Sequence, residues 1–133
     1  MGSRILVADD DEDMADVLRM SLATMGHAVV TCAKAREVIE RLRSDPFDGV
    51  LLDLTMPDMS AEKLIDAIEA LPARPPIVVF SARSTREARS FAARLGAALL
   101  PKPCELSELL DTISANFHDH GPLPNAADEL EAR

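Results

Sequence analysis

Several features that would narrow the function are missing from this 133-residue chain. No apolar run approaches the roughly 20 residues that a membrane-spanning helix needs. The opening MGSRILVADD lacks the plan of a signal peptide, because acidic residues follow its short apolar run directly. The two cysteines, Cys32 and Cys104, lie far apart and form no CxxC pair, so we interpret them as reduced thiols. These absences predict a cytoplasmic protein without membrane insertion.

Basic residues are also scarce. Fourteen lysines and arginines face 23 acidic residues, which gives a net charge of −9. This balance argues against direct binding to nucleic acid or to anionic membranes, and it is compatible with a cation site or a basic partner. The five glycines are scattered and no GxxxxGK[ST] motif occurs, which argues against a nucleotide-driven kinase. The three histidines, His27, His118 and His120, form no convincing metal site and are interpreted as solvated residues.

What the chain does have is a regular alternation of short apolar segments and amphipathic ones. Segments 4–8, 28–32, 49–53, 76–82 and 97–100 are predicted strands, and each is followed by a segment with apolar residues at helical spacing. At 47% hydrophobic residues the chain can bury one core. Five strand–helix pairs in succession predict an α/β, doubly wound parallel sheet with five helices.

Sequence patterns also predict which side of each helix is buried. The first helix is expected to bury Met14, Val17, Leu18, Leu22 and Met25, and Gly26 is expected to end it. Ser84 and Glu87 read as a capping box for the fourth helix. The last helix is expected to bury an apolar stripe made up of Leu106, Leu109, Leu110, Ile113 and Phe117.

The segment GVLLDLTMPDMS places a carboxylate, Asp53, directly after an apolar strand. Two interpretations stay open at this point: Asp53 caps a turn, or the strand exists to hold it as a reactive group. Parallel sheets of this kind bind ligands beyond the carboxyl ends of their strands. Other strand ends would deliver further polar groups to that same edge, namely Asp9, Asp10, Ser81 and Lys102.

The chemistry of that set follows from its charges. Three carboxylates repel one another unless one is protonated or a cation lies between them, and oxygen ligands favour Mg²⁺. A carboxylate beside Mg²⁺ can attack a phosphoryl group, and Lys102 and Ser81 could neutralise the charge on its oxygens. The neighbouring acids Asp11, Glu12 and Asp13 are expected to cap the first helix instead.

Four motifs, ILVADDDED, VLLDLTMPDMS, VVFSA and LPKP, each at a predicted strand end, together resemble the receiver domain of two-component response regulators. The resemblance covers residues 4–117. It implies a flavodoxin-like sheet with strand order 2-1-3-4-5. It also implies a phosphorylation-dependent signalling switch that is not an enzyme in the ordinary sense, although it catalyses its own phosphoryl transfer and slow dephosphorylation.

The resemblance implies roles for individual residues. Asp53 resembles the phosphoacceptor, which would also bind Mg²⁺. Asp10 resembles the direct Mg²⁺ ligand, Asp9 a ligand acting through water, and the backbone carbonyl of Thr55 a further ligand. The switch hydroxyl and the lysine that pairs with the phosphoryl group would be Ser81 and Lys102.

Three positions depart from the usual family pattern. Ala61 stands where glycine is frequent, and Cys104 stands where phenylalanine is common. Leu99 occupies the position of an aromatic residue that usually changes orientation when the switch is phosphorylated. We therefore expect weak coupling from the phosphorylation site to the surface around the fifth strand.

Two rival functions fit the sequence less well than the switch. A phosphatase resembling the haloacid dehalogenase group would carry a second aspartate where Thr55 stands, and a phosphorylation-independent scaffold would typically have lost acidic or lysine residues.

Residues 1–118 are predicted to form the receiver domain and residues 119–133 a flexible tail without an output domain. The chain could be a stand-alone receiver or a fragment of a longer regulator. The predicted partner is a histidine kinase or phosphotransfer protein, with an unknown downstream protein.

Overall fold

The computed structural model describes residues 3–82 and 86–117. Strands and helices alternate along these residues in the predicted succession. The strands are β1 (Arg4–Ala8), β2 (Ala28–Cys32), β3 (Gly49–Leu52), β4 (Ile77–Ser81) and β5 (Ala98–Pro101). The helices are α1 (Glu12–Thr24), α2 (Ala35–Ser44), α3 (Ala61–Glu69), α4 (Arg86–Leu95) and α5 (Leu106–Asn116).

All neighbouring strands pair in parallel, in the order β2-β1-β3-β4-β5. The predicted fold class and strand order are therefore confirmed. The central strands β1, β3 and β4 are almost wholly buried, which explains why their sequences are apolar without alternation.

The core lies in two layers, one on each face of the sheet. Alternate residues of β1, such as Leu6 and Ala8, face the layer formed with α2, α3 and α4. The residues between them, Ile5 and Val7, face α1 and α5. Within the described residues no helix is long and apolar enough to cross a membrane.

The helix ends agree with the sequence in two places. Gly26 and Gly96 follow α1 and α4 with φ angles of 92° and 63°, a backbone conformation that favours glycine. Asp11 caps α1, because its side chain accepts hydrogen bonds from the backbone N–H groups of Asp13 and Met14. The capping serine predicted for α4, Ser84, lies outside the described residues, as do His118, His120 and the predicted tail.

The predicted inward stripes were too wide. Val17 and Met25 in the α1 region are 50% and 44% exposed, and Leu106 of α5 is 43% exposed. Leu18 and Leu22 do face the sheet. Val17 and Leu106 instead line the mouth of an apolar cavity of about 450 Å³ between α1 and the start of α5. Helical spacing alone does not show which residues at the edge of an apolar stripe stay exposed.

Candidate functional site

The sheet register brings the predicted site residues to one edge. Ala8 pairs with Leu52, so Asp9 and Asp53, which follow them, emerge side by side from adjacent strands. Ser81 pairs with Pro101 at the ends of β4 and β5, and Lys102 follows directly. The backbone N–H of Lys102 donates to the carbonyl of Ser81 at 2.8 Å. Parallel pairing thus places groups that are distant in sequence at a common edge.

Three carboxylates form the centre of this edge. Asp9, Asp10 and Asp53 each offer one oxygen, and these oxygens lie within 4.8 Å of one another. Asp9 and Asp53 are 3% and 5% exposed, whereas Asp10 is exposed to solvent. Two buried carboxylates and one exposed one therefore share a small volume.

Backbone N–H groups orient the two buried carboxylates. Asp9 Oδ1 accepts the N–H of Asp11 at 2.9 Å, and Asp53 Oδ1 accepts the N–H of Thr55 at 3.0 Å. Both bonds reach two residues ahead, the local geometry in which an aspartate closes a turn. Each carboxylate thereby has one oxygen tied to its own loop and its second oxygen directed elsewhere.

The second oxygens of both carboxylates accept hydrogen bonds from Lys102. Its ammonium lies 2.8 Å from Asp9 Oδ2 and 3.3 Å from Asp53 Oδ2, with the Phe80 ring 4.9 Å away. Burial acts to lower the pKa of Lys102, but the hydrogen bond to Asp9 and the charge of Asp53 outweigh it and raise that pKa. Lys102 is therefore held as a cation between the two acids.

One cation does not balance the site. Burial raises the pKa of the Asp53 carboxyl, and the nearby charge of Asp9 adds to this. The Thr55 N–H and Lys102 act in the opposite direction without cancelling the rise. The desolvation of the ionised Asp53 is thus only partly offset by its neighbours, and a further cation would stabilise its charge. The donor set consists of hard oxygen ligands, one of them exposed, which fits a partly hydrated Mg²⁺.

Sequence reasoning missed one residue of this region, Asp58. Its carboxylate accepts the backbone N–H groups of Ala35 and Arg36, at 2.8 Å and 3.1 Å. These N–H groups belong to the first turn of α2, whose own N-cap residue Lys34 makes no capping side-chain hydrogen bond. An aspartate in the Met-Pro-Asp turn after β3 is a residue type that often caps helices. Nothing in the sequence indicates that the helix it caps is α2.

Comparison with known proteins supports the sequence resemblance. The family model described as the response regulator receiver domain matches residues 5–114. The sensory/regulatory protein RpfC of Xanthomonas campestris is 35% identical over an alignment of 116 residues that covers 84% of this chain and 16% of that protein. The transcriptional regulatory protein QseB of Escherichia coli O157:H7 is 34% identical over an alignment of 113 residues that covers 84% of this chain and 52% of that protein.

A solved structure agrees as well. A CheY-like receiver domain protein from Methanospirillum hungatei superposes with a TM-score of 0.78 at 27% identity, covering 86% of this chain and 93% of that one. The chain spans about half the length of QseB and less of RpfC. The family match over most of the chain, the strand order and the acidic edge of the sheet lead to one conclusion: the chain belongs to the response regulator receiver domain family.

Proposed function

We propose that this chain is a phosphorylation-dependent signalling switch in which Asp53 accepts a phosphoryl group from a histidine kinase or a phosphotransfer protein. The observation that carries the proposal is the grouping of Asp9, Asp10 and Asp53 within 4.8 Å, with Lys102 between the two buried acids. Membership of the receiver family supports it, because receivers are signalling domains and not classical enzymes.

The proposed reaction is a transfer from nitrogen to oxygen. An oxygen of Asp53 attacks phosphorus, the P–N bond of the donor's phosphohistidine breaks, and its electron pair returns to the imidazole. Mg²⁺ held by Asp9, Asp10, Asp53 and the Thr55 carbonyl would neutralise charge on the phosphoryl oxygens.

Other groups of this chain would stabilise the product. Lys102 already lies 3.3 Å from Asp53, and its ammonium would pair with the phosphoryl oxygens. Ser81, wholly buried at the end of β4, would supply its hydroxyl to the phosphoryl group. Movement of the Ser81 hydroxyl towards the phosphoryl group is the proposed link between phosphorylation and the binding of a downstream protein.

Within the metal site we propose that Asp10 binds Mg²⁺ directly and Asp9 through water. The surroundings of the two carboxylates support this order: Asp10 is exposed, whereas both oxygens of Asp9 already accept hydrogen bonds from Asp11 and Lys102. Asp10→Asn should therefore weaken Mg²⁺ binding more than Asp9→Asn. A titration followed by backbone amide shifts measures both, and equal losses would contradict the order.

The decisive experiment is incubation with Mg²⁺ and acetyl phosphate, followed by intact mass measurement. The switch predicts a single added phosphoryl group, absent from Asp53→Asn and retained by Asp111→Asn, a control on the exposed surface of α5. An adduct that persists in Asp53→Asn would reject Asp53 as the acceptor. Turnover of acetyl phosphate without an adduct would favour a phosphatase, and neither adduct nor turnover would favour a scaffold.

A further inference from the structure

Two loops flank the carboxylates of the site, one after β1 and one after β3. Both contact the chain between the end of β2 and the start of α2. On one side, the N–H of Asp9 donates to the carbonyl of Cys32, the last residue of β2, at 3.0 Å. On the other side, Asp58 holds the first turn of α2 through Ala35 and Arg36. The short connection between β2 and α2, residues 33–34, therefore joins both contacts.

The loop that carries Asp58 is the one that follows Asp53. It is closed by the bond from Thr55 N–H to Asp53 and by a bridge between Met56 and Met59. Met56 is 5% exposed, so the turn is packed into the core at that point, whereas Asp58 itself is exposed at the tip. A carboxylate at the tip thus ties a loop of the site to a helix about 23 residues earlier in the sequence.

The contact is strong for an exposed group. The first N–H groups of a helix have no partners within the helix and carry partial positive charge, so a carboxylate there forms charge-assisted bonds. Desolvation acts to raise the pKa of Asp58, but the N–H groups of Arg36 and Ala35 outweigh it and hold that pKa below its ordinary value. Asp58 is consequently ionised at neutral pH.

We propose that Asp58 is a positioning residue for the divalent cation: by binding the N-terminus of α2 it fixes the loop that bears Thr55 relative to the strand end that bears Asp9. The inference rests on the proposed function, since it assumes a cation between these groups. Residues that orient metal ligands without touching the metal commonly change its affinity by about 10- to 100-fold. A residue that only caps a helix would change folding stability and leave the affinity alone.

The test compares Asp58→Ala with Asp48→Ala in the full chain. Asp48 is a matched control, because its carboxylate also accepts a backbone N–H, that of Arg4 at 2.7 Å, at the opposite end of the strands. Mg²⁺ affinity is measured by titration of backbone amide shifts, and stability by thermal unfolding without Mg²⁺. Both variants should melt at lower temperature, but only Asp58→Ala should bind Mg²⁺ more weakly, by about tenfold.

Two further readouts separate positioning from stability. Uptake from acetyl phosphate by Asp58→Ala should be slow at low Mg²⁺ and recover at saturating Mg²⁺. Asp58→Asn should lie between the wild type and Asp58→Ala, because an amide oxygen can accept one of the two N–H groups. This variant also serves if Asp58→Ala does not fold.

The possible outcomes are distinguishable. Unchanged Mg²⁺ affinity in the Asp58 variants, alongside a wild type that binds Mg²⁺ and takes up phosphate, overturns the inference alone. A loss of affinity in Asp48→Ala equal to that in Asp58→Ala also overturns it, since any destabilisation would then suffice. A wild type that neither binds Mg²⁺ nor takes up phosphate overturns the proposed function and this inference with it.

Discussion

The ammonium of Lys102 donates a hydrogen bond to Asp9 at 2.8 Å, joining residues 93 positions apart in sequence. The same ammonium lies 3.3 Å from Asp53, so it acts as a built-in counter-ion for the two buried carboxylates. A second cation bound to these carboxylates would be repelled by Lys102. The lysine therefore stabilises the cation-free fold and opposes cation binding, while it would favour the phosphorylated state.

Lys102→Met should separate these effects. Loss of the positive charge should tighten Mg²⁺ binding by about tenfold or more, because like unit charges about 4 Å apart repel by roughly 1 kcal/mol in water and about 4 kcal/mol near a protein surface. It should also lower the melting temperature without Mg²⁺ and slow phosphoryl uptake. Lys63→Met, on the exposed surface of α3, is the control. Weaker Mg²⁺ binding in Lys102→Met, measured by amide shifts, would contradict this account of the site.

Asp53→Asn should stabilise the cation-free fold. The pKa of Asp53 is raised in the folded state above its ordinary value of 3.8, so the carboxyl costs stability once pH exceeds that value. At pH 7 the amide should raise the free energy of unfolding, on the order of 1 kcal/mol, which is the size that a single stabilising substitution commonly gives. The gain should shrink as pH falls through the raised pKa of Asp53, because the wild-type carboxyl then takes up a proton in the folded state.

Urea unfolding at several pH values measures this difference. Saturating Mg²⁺ at pH 7 should reduce or reverse it, because the wild type then gains a cation that the asparagine variant binds less well. If the extra stability of Asp53→Asn over the wild type grew as pH fell, the prediction would be contradicted.

The fold and the acidic edge could be predicted because parallel sheets impose a simple rule. Each strand reads as an apolar run, and the residue after it lies at the carboxyl edge, as Asp9 and Asp53 do. The exposure of Val17 and the contact of Asp58 with α2 could not be predicted. Both depend on the angles and spacing between elements, which local periodicity does not contain.

The two cysteines should differ in reactivity. Burial, with the charge of Glu37, raises the pKa of Cys32 to about 11, which leaves about one thiolate in a thousand at pH 8. Cys104 is half-buried beside the apolar cavity, and burial and Glu108 raise its pKa as well. A disulfide reagent at pH 8 should therefore titrate one thiol slowly in the native protein and two in denaturant. Cys104→Ser should abolish the reaction of the native protein with the reagent. If Cys32→Ser abolished it instead, Cys32 would be the reactive thiol.

A side chain at Gly49 should destabilise the fold. It is buried at the start of β3, and a Cβ there would overlap the ring of Phe117, which is 4% exposed at the end of α5. Gly49→Ala should lower the free energy of unfolding by about 1–3 kcal/mol, as overpacking usually does. In a Phe117→Leu background the same change should cost less, because the smaller side chain yields space. A double-mutant cycle in urea measures this coupling. Additive effects of the two substitutions would show that the cost of Gly49→Ala does not come from Phe117.

The last prediction concerns Leu99, which pairs with Val79 in the sheet and packs, half-buried, on the core layer that includes α4. Ser81 lies two residues beyond Val79 and is wholly buried, so movement of its hydroxyl would change the space beside β5. Leucine has no ring to fill that space and no hydroxyl to anchor either orientation. Its two orientations should thus differ little in energy, and a ligand shifts an equilibrium only by its differential interaction with the two states.

Beryllofluoride, a phosphoryl mimic, should therefore move the backbone amide signals of Ser81 and Ala82 more than those of Leu99 and α5. Leu99→Tyr should enlarge the response of β5 and α5, because the ring can occupy the space that Ser81 vacates. Asp53→Asn, which lacks the acceptor, should show neither response and serves as the control. A wild-type response that is already larger at Leu99 and α5 than at Ser81 would mean that this receiver couples its site to β5 without an aromatic side chain.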